Sequence, residues 1–184
     1  MAQRSTATPA VPLAPQRFRA TSIQILQIVG AIVGRAGSSI GIEPRLVVLV
    51  DKFLMLIDDD EFLERFVTKS YQHWEKIRNS EMSFFVDNAG SVFSETNDPE
   101  TVGLFCKLIA PDATGKSHIT PVEQQTLWAR FQTLVKISLR YLEGAEVPGV
   151  QGLEPWRRLR SQHPELKNVD LGALLKLWKL DPKR

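Results

Sequence analysis

The sequence predicts an all-α fold, a single bundle of about six to seven helices with an extended N-terminal arm and a short C-terminal helical extension. Three observations lead there. Apolar residues recur at steps of three and four in one window after another, the spacing that lines one side of a helix. Helix-start chemistry stands in front of several of these windows, and no stretch is confidently a strand. With 184 residues, 43% hydrophobic and 24% charged, the chain has the composition of a globular domain with a real core.

The first 21 residues, with prolines at 9, 12 and 15 and many small polar side chains, read as an extended basic arm. Residues 22–144 are the expected bundle, and 145–184 a basic helical extension. In residues 22–33, Ile23, Leu26, Ile28, Val29, Ile32 and Val33 have helical spacing, with Gly34 and Gly37 as the expected stop and a buried strand as the competing reading. Pro44 opens a second window that is apolar nearly all round, as in a buried central helix.

The acids 58–61 begin a third helix whose apolar side continues through Phe62, Leu63, Phe66, Val67, Tyr71, Trp74 and Ile77. Asn79 and Ser80 mark a turn, after which Met82, Phe84, Phe85, Val86, Ala89, Val92 and Phe93 predict a helix folded back on it. Asp98 and Pro99 begin another, closed by Pro111. Thr120-Pro121-Val122-Glu123 is a capping box with proline in the first turn, and it predicts a long helix ending at Gly144. A Pro- and Gly-containing hinge follows, then two short helical windows, "PWRRLRSQ" and "DLGALLKLWKL".

No residue pattern calls for catalysis, a cofactor or a metal. Gly115-Lys116-Ser117 matches the tail of a phosphate-binding loop, but the glycine required four residues earlier is absent, so a solvated turn is expected. His73, His118 and His163 lack ligand spacing, and the single cysteine, Cys106, sits in an apolar helical window where it packs as a small hydrophobe. The acids 58–61 fit helix capping better than cation binding, since consecutive helical positions point apart.

Charge is distributed unevenly. Residues 1–35 carry +4, residues 36–154 carry −7, and residues 155–184 carry +5. An acidic body with basic ends suits contact with a neighbouring subunit or with nucleic acid. The expected contact residues are Arg4, Arg17 and Arg19 in the arm, and Arg157, Arg158, Arg160, Lys176, Trp178, Lys179, Lys183 and Arg184 in the extension. The tryptophan-bearing C-terminal window could also enter a partner's groove. A membrane surface and a small-molecule substrate are not expected, and neither is secretion.

Residues 62–143, through Trp74, Ile77, Phe84, Phe85, Asn88, Ala89, Phe93 and the run Leu134, Val135, Lys136, Ile137, Ser138 and Tyr141, resemble an uncharacterised helical family of nucleocytoplasmic large DNA viruses. That resemblance implies no activity. It implies a virion or the interior of an infected cell as the location, with an intracellular site otherwise. The expectation is a non-enzymatic assembly protein, such as a minor capsid component, that bridges other protein subunits. The alternatives are a nucleic-acid accessory factor in transcription or genome packaging and, from the transit-like arm, an organellar complex subunit.

Overall fold

The computed structural model describes residues 13–40, 56–88, 115–144 and 152–180, together with Lys52 and Leu108. Within them the chain is helical, without strands: α1 (Ala14–Ile40), α2 (Asp59–Ser70), α3 (Trp74–Arg78), α4 (Met82–Asp87), α5 (Pro121–Leu142), α6 (Glu154–Gln162) and α7 (Leu171–Leu177). Short 3-10 turns at Tyr71–His73 and Pro164–Leu166 link neighbours. The predicted all-α class is what the structure has.

The first helix departs from expectation at both ends. It begins at Ala14, so the extended arm assigned to residues 1–21 is helical from that point, with Pro15 in the first turn where its missing N–H costs nothing. Ala14 and Phe18 are fully buried, and Phe18 meets Phe62 and Phe66 at ring separations of 5.2 and 5.1 Å. At the other end α1 passes through Gly34 and Gly37 to Ile40. Burial of Ile32 and Val33 offsets the roughly 1 kcal/mol that each helical glycine costs relative to alanine.

The helix predicted from residue 58 onward is divided. Asp58 caps α2 by accepting from the amides of Asp60 and Glu61, as its position suggested. After Ser70 the chain tightens into the 3-10 turn, and α3 resumes at Trp74. Trp74 and Ile77 are buried, while Tyr71, Phe84 and Phe85 are half-buried, so the aromatic stretch is core and core margin. Ser80 makes the turn in the left-handed region at φ 56°. The windows expected at Pro44, Asp98 and Cys106, the second half of the helix after Met82, and the hinge before Gly152 lie outside the described residues.

Helix α5 is the hub. The predicted capping box at Thr120 and Glu123 is present, and Gly144 follows its end at φ 74°. Helices α1, α2, α3, α6 and α7 all pack on it, the α1 pairing being the most extensive. Arg35 near the end of α1 reaches Glu123 near the start of α5, which sets the two helices antiparallel. Val135, Leu139, Tyr141 and Leu142 are essentially inaccessible within this contact region.

The C-terminal segment is not an extension standing apart from the bundle. Trp156, Leu159, Leu166, Leu171, Leu175 and Trp178 are all buried and belong to the same core as Phe18 and Leu139. Trp178, expected at a partner surface, is 5% exposed. The apolar side of α7 is covered by the chain's own body.

Candidate functional site

The residues expected to contact partners separate into two groups. Arg19, half-buried, pairs with Asp59 and donates to the carbonyl of Ile57, with its guanidinium 5.9 Å from the Phe62 ring. Arg158 donates to the Glu64 carboxylate and, at 2.8 Å, to the Tyr141 hydroxyl. Arg160 donates to the carbonyl of Lys167 and lies over the Trp156 ring at 5.7 Å. Arg19 and Arg158 fasten the chain's own helices together, and Arg160 ties α6 to the turn that follows it.

Arg17 and Arg157 are exposed on α1 and α6, and Lys176 and Lys179 are exposed at the end of α7. Arg4, Lys183 and Arg184 lie outside the described residues. Sequence reasoning missed Arg78. Its guanidinium donates to the carbonyl of Leu177 at 2.8 Å, which brings it to Lys176 and Lys179. No local signal could have found this, because 99 residues separate the two partners.

One polar cluster joins α2, α5 and α6. The Tyr141 hydroxyl donates to Glu64 at 2.7 Å, and Arg158 bonds both. Burial, and then the neighbouring Glu64 carboxylate, raise the Tyr141 phenol far above its ordinary range. Bonding to Glu64 likewise raises Arg158. A phenol held so firmly protonated is a poor base and serves as a hydrogen-bond donor.

A second cluster ties α1 to α5. Arg35 makes paired bonds to Glu123 at 2.7 and 2.8 Å and a third to the carbonyl of His118 at 2.9 Å. Bonding to Arg35, reinforced by the amide of Thr120, holds the Glu123 carboxyl at about 2.

The surface of the described residues includes two open recesses. One, of about 490 Å³, lies where α1 and α2 begin and is lined by residues including Leu13, Pro15, Arg19, Ile57 and Asp58. The other, of about 440 Å³, runs beside the first half of α5 past Ser80, Gln124, Gln125, Trp128 and Gln132. Their linings place no nucleophile beside a base. Gln132 is occupied, donating its amide to Arg78 at 3.1 Å and to Ser80 and Ile77 at 3.3 Å.

Among the described residues no group of three His, Cys, Asp or Glu side chains could hold a metal ion. His73 packs against Phe84 at 5.5 Å and is lowered by burial, while His163 sits 3.2 Å from Glu165. Gly115 turns at φ 80° in an exposed bend, and the Ser117 hydroxyl accepts from the amide of Ile119. Asn88 donates to the Phe84 carbonyl at 2.9 Å and so finishes α4, whereas Lys136 is exposed. No helix among the described residues is long and apolar enough to cross a membrane. Compared with family models, with curated proteins and with solved structures, the chain matches none of them.

Proposed function

We propose that this chain is a non-enzymatic assembly protein that bridges neighbouring protein subunits, with the viral resemblance suggesting a minor component of a large DNA virus particle as its setting. The observation that carries this is the use made of the arginines at its two ends. Arg19, Arg158 and Arg160 are engaged by the chain's own Asp59, Glu64 and the Lys167 carbonyl, Arg19 half-buried and the other two at the surface. A nucleic-acid surface needs a continuous row of cations free to meet phosphates. With three of its expected members engaged, that row is interrupted, which favours protein over nucleic acid as partner.

The test is affinity capture of the full chain from cells that naturally produce it, with and without nuclease, beside retention of a random-sequence duplex over a salt series. Protein partners retained after nuclease, with no duplex binding at about 150 mM salt, are expected. Partners lost on nuclease treatment, with duplex affinity falling steeply as salt rises, would establish the nucleic-acid factor instead.

A further inference from the structure

His73 stands where a positive charge is poorly received. It closes the 3-10 turn between α2 and α3, half-buried, with its imidazole 5.5 Å from the Phe84 ring and 6.4 Å from the Phe85 ring of α4. Its Nε2 is buried and meets no hydrogen-bond partner. A neutral ring can leave a lone pair there at modest cost. A protonated ring must put an N–H and a charge in the same spot, with no acceptor to receive them.

The charged groups around it do not offset that cost. Lys76 of α3 holds its ammonium 5.4 Å from the centre of the Phe84 ring and pairs with Glu81 at 2.8 Å. The ring that could receive an imidazolium thus already receives a cation, and the acid of the turn between α3 and α4 is committed to Lys76. Lys69 at the end of α2 is a further cation, and Glu75 and Arg78 of α3 and Asp87 of α4 are exposed to water. Helix α5 meets the cluster through Trp128, 5.5 Å from Phe85. Burial lowers His73 from its ordinary value, and no neighbouring carboxylate opposes the shift.

Helix α4 depends on this cluster. It has six residues, none of them fully buried, and its aromatic pair meets edge to face at 5.4 Å before Phe85 reaches Trp128. An element held by so few buried contacts opens at low cost.

We propose that His73 is an acid-sensitive latch: its protonation drives the imidazole away from Phe84 and Phe85, and α4 separates from α5, uncovering Phe85 and Trp128. The step moves one proton from water to Nε2 and breaks no covalent bond. Above the ordinary histidine value of 6.5 both forms are neutral and the latch stays shut. As pH falls below it, the opened form takes up the proton first and gains population, by at most about tenfold at one unit lower. The latch goes beyond the bridging function and does not rest on it.

The experiment is amide hydrogen exchange of the full chain at about pH 7.5 and about pH 5.5, corrected for the intrinsic pH dependence of exchange. Protection of residues 82–87 should fall about three- to tenfold at the lower pH, while that of residues 134–142 in α5 holds. His73→Phe keeps an aromatic ring that takes no proton and should abolish the fall. The other two histidines, His118 and His163, are controlled by His118→Gln with His163→Gln, which should retain it.

Circular dichroism melts establish that each variant folds; if His73→Phe does not, His73→Gln, neutral at both pH values, makes the same comparison. A fall that persists without His73 overturns the proposal, as does its loss in the His118→Gln/His163→Gln variant or its absence in wild type. So does an imidazole resonance of His73 that titrates at or above its ordinary value. Unchanged exchange in a chain that still captures nuclease-resistant partners would leave the assembly function standing and remove only the latch.

Discussion

The hydroxyl of Tyr141 donates to the carboxylate of Glu64 at 2.7 Å across 77 residues of chain, and Arg158 closes the triangle from a third helix. With Tyr141 1% exposed, this is a point where α2, α5 and α6 are locked in one register. Removing the hydroxyl in Tyr141→Phe leaves Glu64 short of a donor and should cost ~1–3 kcal/mol, read by urea denaturation. Combined with Glu64→Gln, the two effects should fall short of additive; strict additivity would show that the pair does not interact.

The same geometry has an alkaline signature. The chain has two tyrosines, so Tyr71→Phe leaves Tyr141 as the single phenol. Because the folded phenol is raised, its contribution is fully present below the ordinary tyrosine range and is lost as pH climbs through and beyond that range. Ultraviolet titration of Tyr71→Phe should therefore show no phenolate until the protein unfolds. Phenolate appearing near pH 10 with intact circular dichroism would contradict the buried bond.

Glu123 sets an acid limit. Its carboxyl, held at about 2 by Arg35, contributes stability that is present above its ordinary value of 4.5 and is lost as pH falls toward 2. Thermal melts of wild type should decline across that window. Glu123→Gln should melt lower at neutral pH and lose less on acidification, and parallel curves for the two proteins would refute the pairing.

The C-terminal segment should behave as core. Leu159 and Leu166 are each fully buried, and truncating either to alanine should cost ~2–5 kcal/mol. A chain cut after Gly144 should bind a hydrophobic dye and lose cooperative unfolding, since the helices resting on α5 would be gone. Unchanged cooperativity would mean that residues beyond 144 are an appendage.

Lys179→Gly should stabilise the protein by ~1 kcal/mol by relieving the left-handed backbone, measured as a rise in melting temperature. A fall in stability would indicate that the lysine side chain contributes more to the end of α7 than its backbone costs.

Much of the fold was legible because its signals are local. The Thr120 capping box, the Asp58 cap and the Gly144 terminus lie within a few residues of the groups they satisfy. The start of α1 was hidden because proline spacing and polar composition describe residues 14–21 in isolation, while their helicity depends on Phe18 reaching Phe62 and Phe66. The arginines show the same limit. Composition identified Arg19, Arg158 and Arg160 as cations at the chain's ends, but their partners lie in remote sequence or in folded main chain, and only tertiary structure reveals that the chain itself engages them.

The central position of α5 has a consequence for how the chain is made. Its earliest partner, α1, ends roughly 80 residues before α5 begins, an interval of about 4–16 s at synthesis rates of ~5–20 residues per second. Until Pro121 to Leu142 emerge, the buried side chains that α1 and α2 turn toward α5 have no hub to rest on. The nascent chain therefore waits with apolar surface exposed, and the yield of folded protein depends on what shields that surface in the interval.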